Sequence, residues 1–148
     1  MRATYRVLGY LIALEVIIQA AAIVYATFGE RKFVEGGGTV DKALWDSDEI
    51  PFDEFVGFIV HGINGINVIP LLAILMLIVS FFAKVEKGVV MALLVVVVVA
   101  IQVLLGIYAH EVPLLGLLHG INAFILAGIA SAAAARASKP EEAAVTAA

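Results

Sequence analysis

Four long apolar segments, separated by polar stretches, account for most of the chain. Each segment is long enough to cross the roughly 30 Å hydrocarbon core of a bilayer as an α-helix. The segments cover about residues 5–28, 53–83, 89–110 and 114–135. This pattern predicts an all-α integral membrane protein in which residues 1–135 form one domain, an antiparallel bundle of four transmembrane helices. Pro70 lies inside the second segment and predicts a kink there, because proline removes a backbone donor.

The polar stretches differ in length, and only the first is large. Residues 29–52 are predicted to form a loop, in which Thr39 is a candidate cap for a short helix that reaches Trp45. Residues 84–88 and 111–113 are tight turns, whereas residues 136–148 have no apolar periodicity, which predicts a disordered tail. The bundle therefore has one insertion, placed between its first and second helices.

Composition supports the membrane class and excludes several others. Of the 148 residues, 63% are hydrophobic, and the mean hydropathy is +1.07, whereas a soluble domain is roughly half apolar. The chain has no cysteine, which excludes disulfides, thiolate metal sites and c-type haem attachment. The small net charge of −4 argues against nucleic acid as a partner.

Charged residues are distributed unevenly between the two sides of the predicted bundle. Between Glu30 and Glu54 there are eight acidic residues and three basic ones. The basic residues of the opposite side are Arg2, Arg6, Lys84, Lys87, Arg136 and Lys139. Because lysine and arginine stay on the cytoplasmic side, both termini are expected in the cytoplasm and the acidic loop outside the plasma membrane.

The tetrapeptide His-Gly-Ile-Asn occurs twice, at residues 61–64 and 119–122. Each copy follows a helix in which Gln, Tyr and Ala have the same spacing: Gln19, Tyr25 and Ala26 in one, Gln102, Tyr108 and Ala109 in the other. The bundle is therefore expected to consist of two repeated hairpins, related by a pseudo-two-fold axis along the membrane normal. A chance similarity between apolar segments is the alternative.

Helical rise brings the polar residues of this repeat to one depth, in the outer half of the membrane. The layer consists of His61, His119, Gln19 and Gln102, with Asn64 and Asn122 one turn deeper. At about 1.5 Å per residue, the first four residues lie within about one turn of each other. If the second and fourth helices face each other, the two histidines approach from opposite sides. The sequence therefore predicts a single polar site.

Two imidazoles from opposite helices suit the axial positions of a haem iron, so His61 and His119 are candidate ligands of haem b. The other nitrogen of each ring needs an acceptor, for which Gln19, Gln102 or a backbone carbonyl is available. Four small residues leave room for a porphyrin: Gly62, Gly65, Gly106 and Gly120. The outer bases available to the propionates are Arg31, Lys32 and Lys42. Zinc is disfavoured, because it takes at least three protein ligands.

Other interpretations of these residues stay open. Histidine and amide side chains also join membrane helices by hydrogen bonds, so a cofactor-free structural or accessory subunit is the main alternative. Glu15, inside the first helix, is either a proton relay or quinol-binding group, or a neutral acid hydrogen-bonded in the bundle. A proton-coupled carrier would use Glu15 and the histidines. His110 is an interfacial residue, a proton exit or a substitute ligand. No catalytic residue is identified, and whether the protein is an enzyme stays open.

The histidine motifs resemble those of known membrane proteins. His61-Gly-Ile-Asn-Gly65 and Leu118-His119-Gly-Ile-Asn122-Ala123 are similar to His-x-x-x-Gly and Leu-His-x-x-Asn-Ala of small four-helix bacterial membrane proteins. Residues 1–135 also resemble one half of the haem A synthases and related b-type membrane cytochromes. That resemblance implies His61 and His119 as paired axial ligands of haem b. The outer catalytic acid and the cysteine pair of the synthases have no counterpart, so haem A synthesis is not implied.

Together these features predict a membrane protein that binds one haem and transfers electrons, alone or as a subunit of a respiratory or oxidoreductase complex. The expected partners are the lipid bilayer and a quinol or a redox protein that docks on the outer loop. Membership of a larger complex and assembly into a homo-oligomer both stay open.

Overall fold

The computed structural model describes residues 1–47 and 49–138, and helices dominate these residues. Four long helices are each long and apolar enough to cross a membrane: α1 (Arg2–Glu35), α2 (Asp53–Ser80), α3 (Gly88–Tyr108) and α4 (Pro113–Arg136). A short helix, Lys42–Trp45, lies between α1 and α2. The chain is therefore all-helical and compatible with a four-helix bundle. Most of the predicted disordered tail, residues 139–148, lies outside the described residues.

α1 extends beyond the predicted segment 5–28 at both ends and takes up the first part of the predicted loop. Glu30 to Glu35 are mostly good helix formers, and Arg31 and Glu35 form an i,i+4 ion pair at 2.8 Å. The helix ends where three glycines begin, and Gly37 has a φ of +94°, which favours glycine. The loop that connects α1 to α2 is therefore shorter than predicted.

The cap of the short helix differs from the sequence prediction. Asp41, and not Thr39, precedes the helix, and its Oδ1 accepts a hydrogen bond from the backbone N–H of Leu44 at 2.9 Å. Aspartate is a strong N-cap residue because its side chain satisfies a free N–H of the first turn. Trp45, at the end of this helix, contacts the rings of Phe55 and Phe58 and so holds the loop against α2.

The predicted interruption near Pro70 takes the form of a π-helical turn. α2 begins with a 3₁₀ turn, Asp53–Phe55, and continues as α-helix over Val56–Ile63. The π-helical turn, Asn64–Val68, comes next, and α-helix resumes over Ile69–Ser80. Pro70 has no backbone N–H to donate to the preceding turn, and the wider π-helical turn accommodates the proline. Such π-helical turns are frequent at functional sites.

Helix packing places α2 and α4 on one diagonal of the bundle. α1 and α3 each pack against both α2 and α4. Each connection between consecutive long helices is too short to run back along the bundle, so consecutive helices are antiparallel. We call the end near Glu35 and Pro113 the acidic end, and the end near Arg2 and Gly88 the basic end.

The half of the bundle toward the basic end is tightly packed. Its core includes Tyr5, Ile12, Ala73, Met76, Val95, Leu126 and Ala130. At Gly9, an added Cβ would lie 2.9 Å from the carbonyl oxygen of Ala130, so the backbones of α1 and α4 are in close contact. Toward the acidic end, Val56–Ile63 of α2 packs mainly on α1, whereas Ile69–Ser80 also packs on α3. The helices therefore separate toward the acidic end and leave a cavity.

One buried hydrogen bond joins α1 to the start of α3. The hydroxyl of Tyr5, which is fully buried, donates to the carbonyl oxygen of Gly88 at 2.9 Å. We expect Tyr5→Phe to lower the free energy of unfolding by about 1 kcal/mol, the usual net value of one hydrogen bond. Equilibrium unfolding of the purified protein in mixed micelles with increasing SDS measures this change.

The control for this substitution is Tyr10→Phe on the same helix. Tyr10 is 48% exposed, so loss of its hydroxyl is expected to change the free energy of unfolding by less than about 0.5 kcal/mol. Equal effects of the two substitutions would contradict a stabilising role for the Tyr5 hydroxyl.

Candidate functional site

A cavity of about 360 Å³ lies between the four helices, in the half of the bundle toward the acidic end. This volume is in the range of small-molecule sites, roughly 300–1,000 Å³. The cavity is lined by nine of the residues that the sequence singled out: Gln19, His61, Gly62, Gly65, Gln102, Gly106, His110, His119 and Gly120. Asn64, Asn122 and Glu15 are not among its lining residues.

The two histidines face each other across the cavity. Their ring centroids are 6.0 Å apart, and the planes of the rings make an angle of 61°. His61 Nδ1 lies 3.3 Å from the backbone oxygen of Gln19, and His119 Nδ1 lies 3.0 Å from that of Gln102. Because a carbonyl only accepts, each ring carries its proton on Nδ1 and keeps Nε2 as an acceptor. This tautomer is the one in which Nε2 binds a metal ion.

The side chains around His119 form a closed network. The amide Nε2 of Gln102 donates to His119 Nε2 at 3.2 Å. Asn122 Nδ2 in turn donates to Gln102 Oε1 at 2.7 Å and to the backbone oxygen of Val98 at 3.1 Å. Gln102 therefore contacts both nitrogens of the His119 ring, one through its backbone oxygen and the other through its side chain.

The network around His61 is open. Gln19 is only 8% exposed, and its Nε2 has no hydrogen-bond partner among the described residues. Asn64, which has the same position relative to His61 as Asn122 has to His119, donates instead to Glu15 Oε2 at 3.0 Å. Glu15 precedes Gln19 by one helical turn, as Val98 precedes Gln102. The carboxyl group therefore attracts Asn64, and the Gln19 amide is left without a partner.

Glycines shape the cavity in two ways. A Cβ at Gly106 would lie 3.0 Å from His119 Cε1, so the absence of a side chain there makes room for the imidazole. A Cβ at Gly62 or Gly120 would meet no atom within 4 Å, so these positions border open space beside the histidines. Gly65 lies against Gln19, whose Oε1 would be 3.5 Å from an added Cβ.

Other predicted residues have different surroundings. Glu15 contacts Asn64, one turn from the cavity, whereas His110 lines the cavity wall at the end of α3. The outer bases each contact an acid: Arg31 with Glu35, Lys32 with Glu54, and Lys42 with Asp46. In the described ranges, no group of three or more metal-binding side chains occurs. The polar side chains of the cavity lining are therefore the imidazoles of His61, His119 and His110 and the amides of Gln19 and Gln102.

The apolar wall of the cavity was not identified from the sequence. It includes Val16 and Ile23 on α1, Val99, Val103 and Ile107 on α3, and Phe124 and Leu126 on α4. Most of these residues are three to five positions from Gln19, Gln102 or His119, so helical periodicity around the polar residues would have found them.

Comparisons of the chain with family models, with curated proteins and with solved structures gave no match. The chemistry of the site is therefore inferred from its own geometry. Two imidazole acceptors oppose each other in an apolar cavity, next to an unpaired buried amide and to open space at two glycines. Among the described residues, this donor set lacks the third ligand that zinc requires.

Proposed function

We propose that the protein is a membrane-embedded b-type haem protein that transfers electrons, in which His61 and His119 would hold the haem. One observation carries the proposal. Both imidazoles donate to a backbone carbonyl through Nδ1, so that Nε2 of each ring is the nitrogen available as an acceptor, which at His119 is taken by the Gln102 amide. Hydrogen bonding of this kind orients ligating histidines in metal proteins and fixes their tautomer.

The dimensions of the site support this proposal. With metal–nitrogen bonds of about 2 Å, two opposed imidazoles that share one metal ion have ring centroids roughly 6 Å apart. The ring centroids of His61 and His119 are 6.0 Å apart. Gly62 and Gly120 border the space that a macrocycle would occupy. Haem supplies one-electron chemistry when it is bound.

A duplicated hairpin, as the sequence predicts, would explain why two histidines meet in this way. The buried residues of α1 and α3 repeat at a constant separation, which is the separation between Gln19 and Gln102. The pairs are Tyr5 and Gly88, Gly9 and Ala92, and Ile12 and Val95. The buried residues Ile69, Ala73, Met76 and Ser80 of α2 correspond to Leu126, Ala130 and Ala133 of α4 and to Ala137, the residue that follows α4. This spacing is one residue shorter than that of the two histidines, and the π-helical turn of α2 contains the extra residue.

We further propose that the protein is a multi-pass protein of the plasma membrane with both termini in the cytoplasm. The positive-inside rule supports this orientation, because Lys84, Lys87 and Arg136 lie at the basic end with Arg2 and Arg6. The site then lies close to the outer face. An electron donor or acceptor is either a quinol, for which Glu15 is a candidate contact, or a redox protein that docks at the acidic end.

A second candidate function is that of an accessory subunit without a cofactor. The closed network of His119, Gln102 and Asn122 favours it, because each polar side chain there finds a protein partner. Interhelical hydrogen bonds of this kind fix helix packing in membranes. In the other half of the site the Gln19 amide has no such partner among the described residues, so the network is complete on one side only.

An absorption spectrum of the purified protein distinguishes the two functions. We expect a Soret band, and narrow α and β bands after reduction, as two imidazole ligands produce. Extraction of the pigment into alkaline pyridine then identifies haem b and gives its ratio to protein. A folded but colourless protein, purified from cells supplied with a haem precursor, would exclude the haem function and favour the accessory subunit.

A further inference from the structure

Three polar side chains lie outside the cavity, where α1 and α2 meet. They are Glu15 of α1 and Asn64 and Asn67 of α2, and none of them lines the cavity. Asn64 donates to Glu15 Oε2 at 3.0 Å, and this pair is only partly buried. Asn67, one turn after Asn64, is exposed, and its Nδ2 donates to the backbone oxygen of Ile63 in its own helix at 3.1 Å. We call these three residues the α1–α2 polar patch.

The patch has hydrogen-bonding groups that the described part of the chain does not use. An amide nitrogen carries two N–H groups, and only one N–H of Asn67 is taken by Ile63. The other N–H and Oδ1 of Asn67 have no partner among the described residues, and neither has Oε1 of Glu15. In a bilayer such groups are costly, so polar residues of membrane helices usually face the bundle interior or a partner.

The fold itself does not require a polar patch, because the second half of the bundle lacks one. In the repeat that the sequence predicts, Val98 of α3 has the position of Glu15. Asn122, the counterpart of Asn64, binds into the network around His119. The exposed side chains that follow Asn122 within one turn are apolar: Phe124 and Ile125.

Large apolar side chains surround the patch and are exposed as well. They lie one helical turn from Glu15 or from Asn67 and have exposed fractions of 37–57%: Leu11, Ile18, Ile63 and Leu71. Membrane helices associate through van der Waals contact of such side chains together with interhelical hydrogen bonds. This surface therefore suits another membrane helix better than it suits lipid alone.

We propose that the α1–α2 polar patch is the contact surface of a homodimer, in which a second copy of this chain packs about a two-fold axis along the membrane normal. Two copies with the same membrane orientation place each residue at the depth of its own counterpart, so a two-fold interface pairs the patch with itself. The free groups of Asn67 are one donor and one acceptor. Two amides need this set to form a reciprocal pair of hydrogen bonds.

The dimer rests on the membrane placement proposed above and is independent of haem, because the patch and the cavity lie on different faces of α2. Recovery of the full-length protein in membranes washed at alkaline pH tests the placement first. Protein that the wash releases would overturn the membrane placement and the dimer together.

Energy transfer between labelled copies in liposomes measures the dimer. The chain has no cysteine, so Glu86→Cys, in the exposed turn between α2 and α3, gives a single position for a donor or an acceptor dye. The two labelled preparations are mixed and diluted with lipid. We expect energy transfer above the level of random proximity, with a decline to that level as the ratio of lipid to protein rises.

Asn67→Leu tests the reciprocal amide pair. Because two interhelical hydrogen bonds are lost, we expect the dissociation constant in lipid to rise about tenfold, which corresponds to about 1.4 kcal/mol. A single size-exclusion peak and an unchanged helical circular dichroism spectrum establish that the variant folds. Ile125→Leu, on the exposed face of α4, is the control, and its dissociation constant is expected to stay within about twofold of the unmodified protein.

Single cysteines locate the interface without any change in the patch. Ile63→Cys lies beside Asn67, whereas Ile125→Cys lies on α4, and both positions are exposed in one copy. With a short, membrane-permeant thiol cross-linker, we expect cross-linked dimers of Ile63→Cys and little cross-linking of Ile125→Cys. Equal cross-linking at both positions would overturn the proposed interface, as would a dimer that Asn67→Leu does not weaken. A monomer at every lipid ratio would overturn the dimer and leave the haem function to the absorption spectrum.

Discussion

Haem content is expected to fall at least about tenfold in His61→Ala, because substitution of groups that merely support a metal ligand already costs about 10–100-fold in affinity. His61 is the proposed ligand whose Nε2 has no competing partner among the described residues, so it is expected to contribute most to retention of the cofactor. His119→Ala is expected to retain part of the haem, with broad bands in place of the narrow α and β bands. The ratio of Soret absorbance to protein, with the pyridine assay, measures both effects.

Asn67→Ala serves as the control for these two variants. It removes a polar side chain from the same helix as His61 without changing the lining of the cavity. Its haem content is expected to equal that of the unmodified protein. Size-exclusion profiles of all three variants establish that they fold. A folded His61→Ala protein with the full, unshifted spectrum would rule out His61 as a ligand.

Gly57→Ala is expected to destabilise the protein by about 1–3 kcal/mol, the usual cost of added volume in a packed contact. Gly57 is buried where α2 meets α1, and its added Cβ would overlap the backbone oxygen of Ala22 and lie 3.0 Å from Ala26 Cβ. Because the obstacle is backbone, the two helices must separate. The free energy of unfolding in SDS-containing micelles measures the loss.

The matched substitution is Gly128→Ala on α4. An added Cβ at Gly128 meets no atom within 4 Å, so only the higher helix propensity of alanine remains. We expect the free energy of unfolding to stay the same or to rise by up to about 1 kcal/mol. If both glycine substitutions had the same effect, close packing of α1 and α2 would not explain the stability of this contact.

Much of the architecture could be predicted from the sequence, because apolar length is a local property. The four predicted segments correspond to the four long helices, and each boundary is set by nearby residues such as the glycines after Glu35. The sequence prediction ended α1 too early, because it assigned the charged residues between Glu30 and Glu35 to a loop. Glutamate, arginine and lysine also have high helix propensity, and α1 continues through them. The short helix is capped by Asp41 instead of the predicted Thr39 and begins at Lys42.

The partners of the site residues could be predicted less well. The sequence suggested that a glutamine side chain or a backbone carbonyl would accept from each histidine, and the structure has the carbonyl in both cases. It gave no sign that Asn64 would bind Glu15 or that Gln102 would bind both nitrogens of His119. Such pairings depend on rotation of helices against each other by fractions of a turn, which apolar periodicity does not specify.

The sequence by itself determined that this protein has four membrane-length helices and two His-Gly-Ile-Asn motifs at similar depth, because hydrophobic length and helical rise follow from residue order alone. Only the tertiary structure decided that His61 and His119 lie 6.0 Å apart across a cavity and that their surroundings differ. The physical reason is packing. Small residues bring the helices together at the basic end, the bundle separates toward the acidic end, and Glu15 and Val98 then give the two equivalent asparagines different partners.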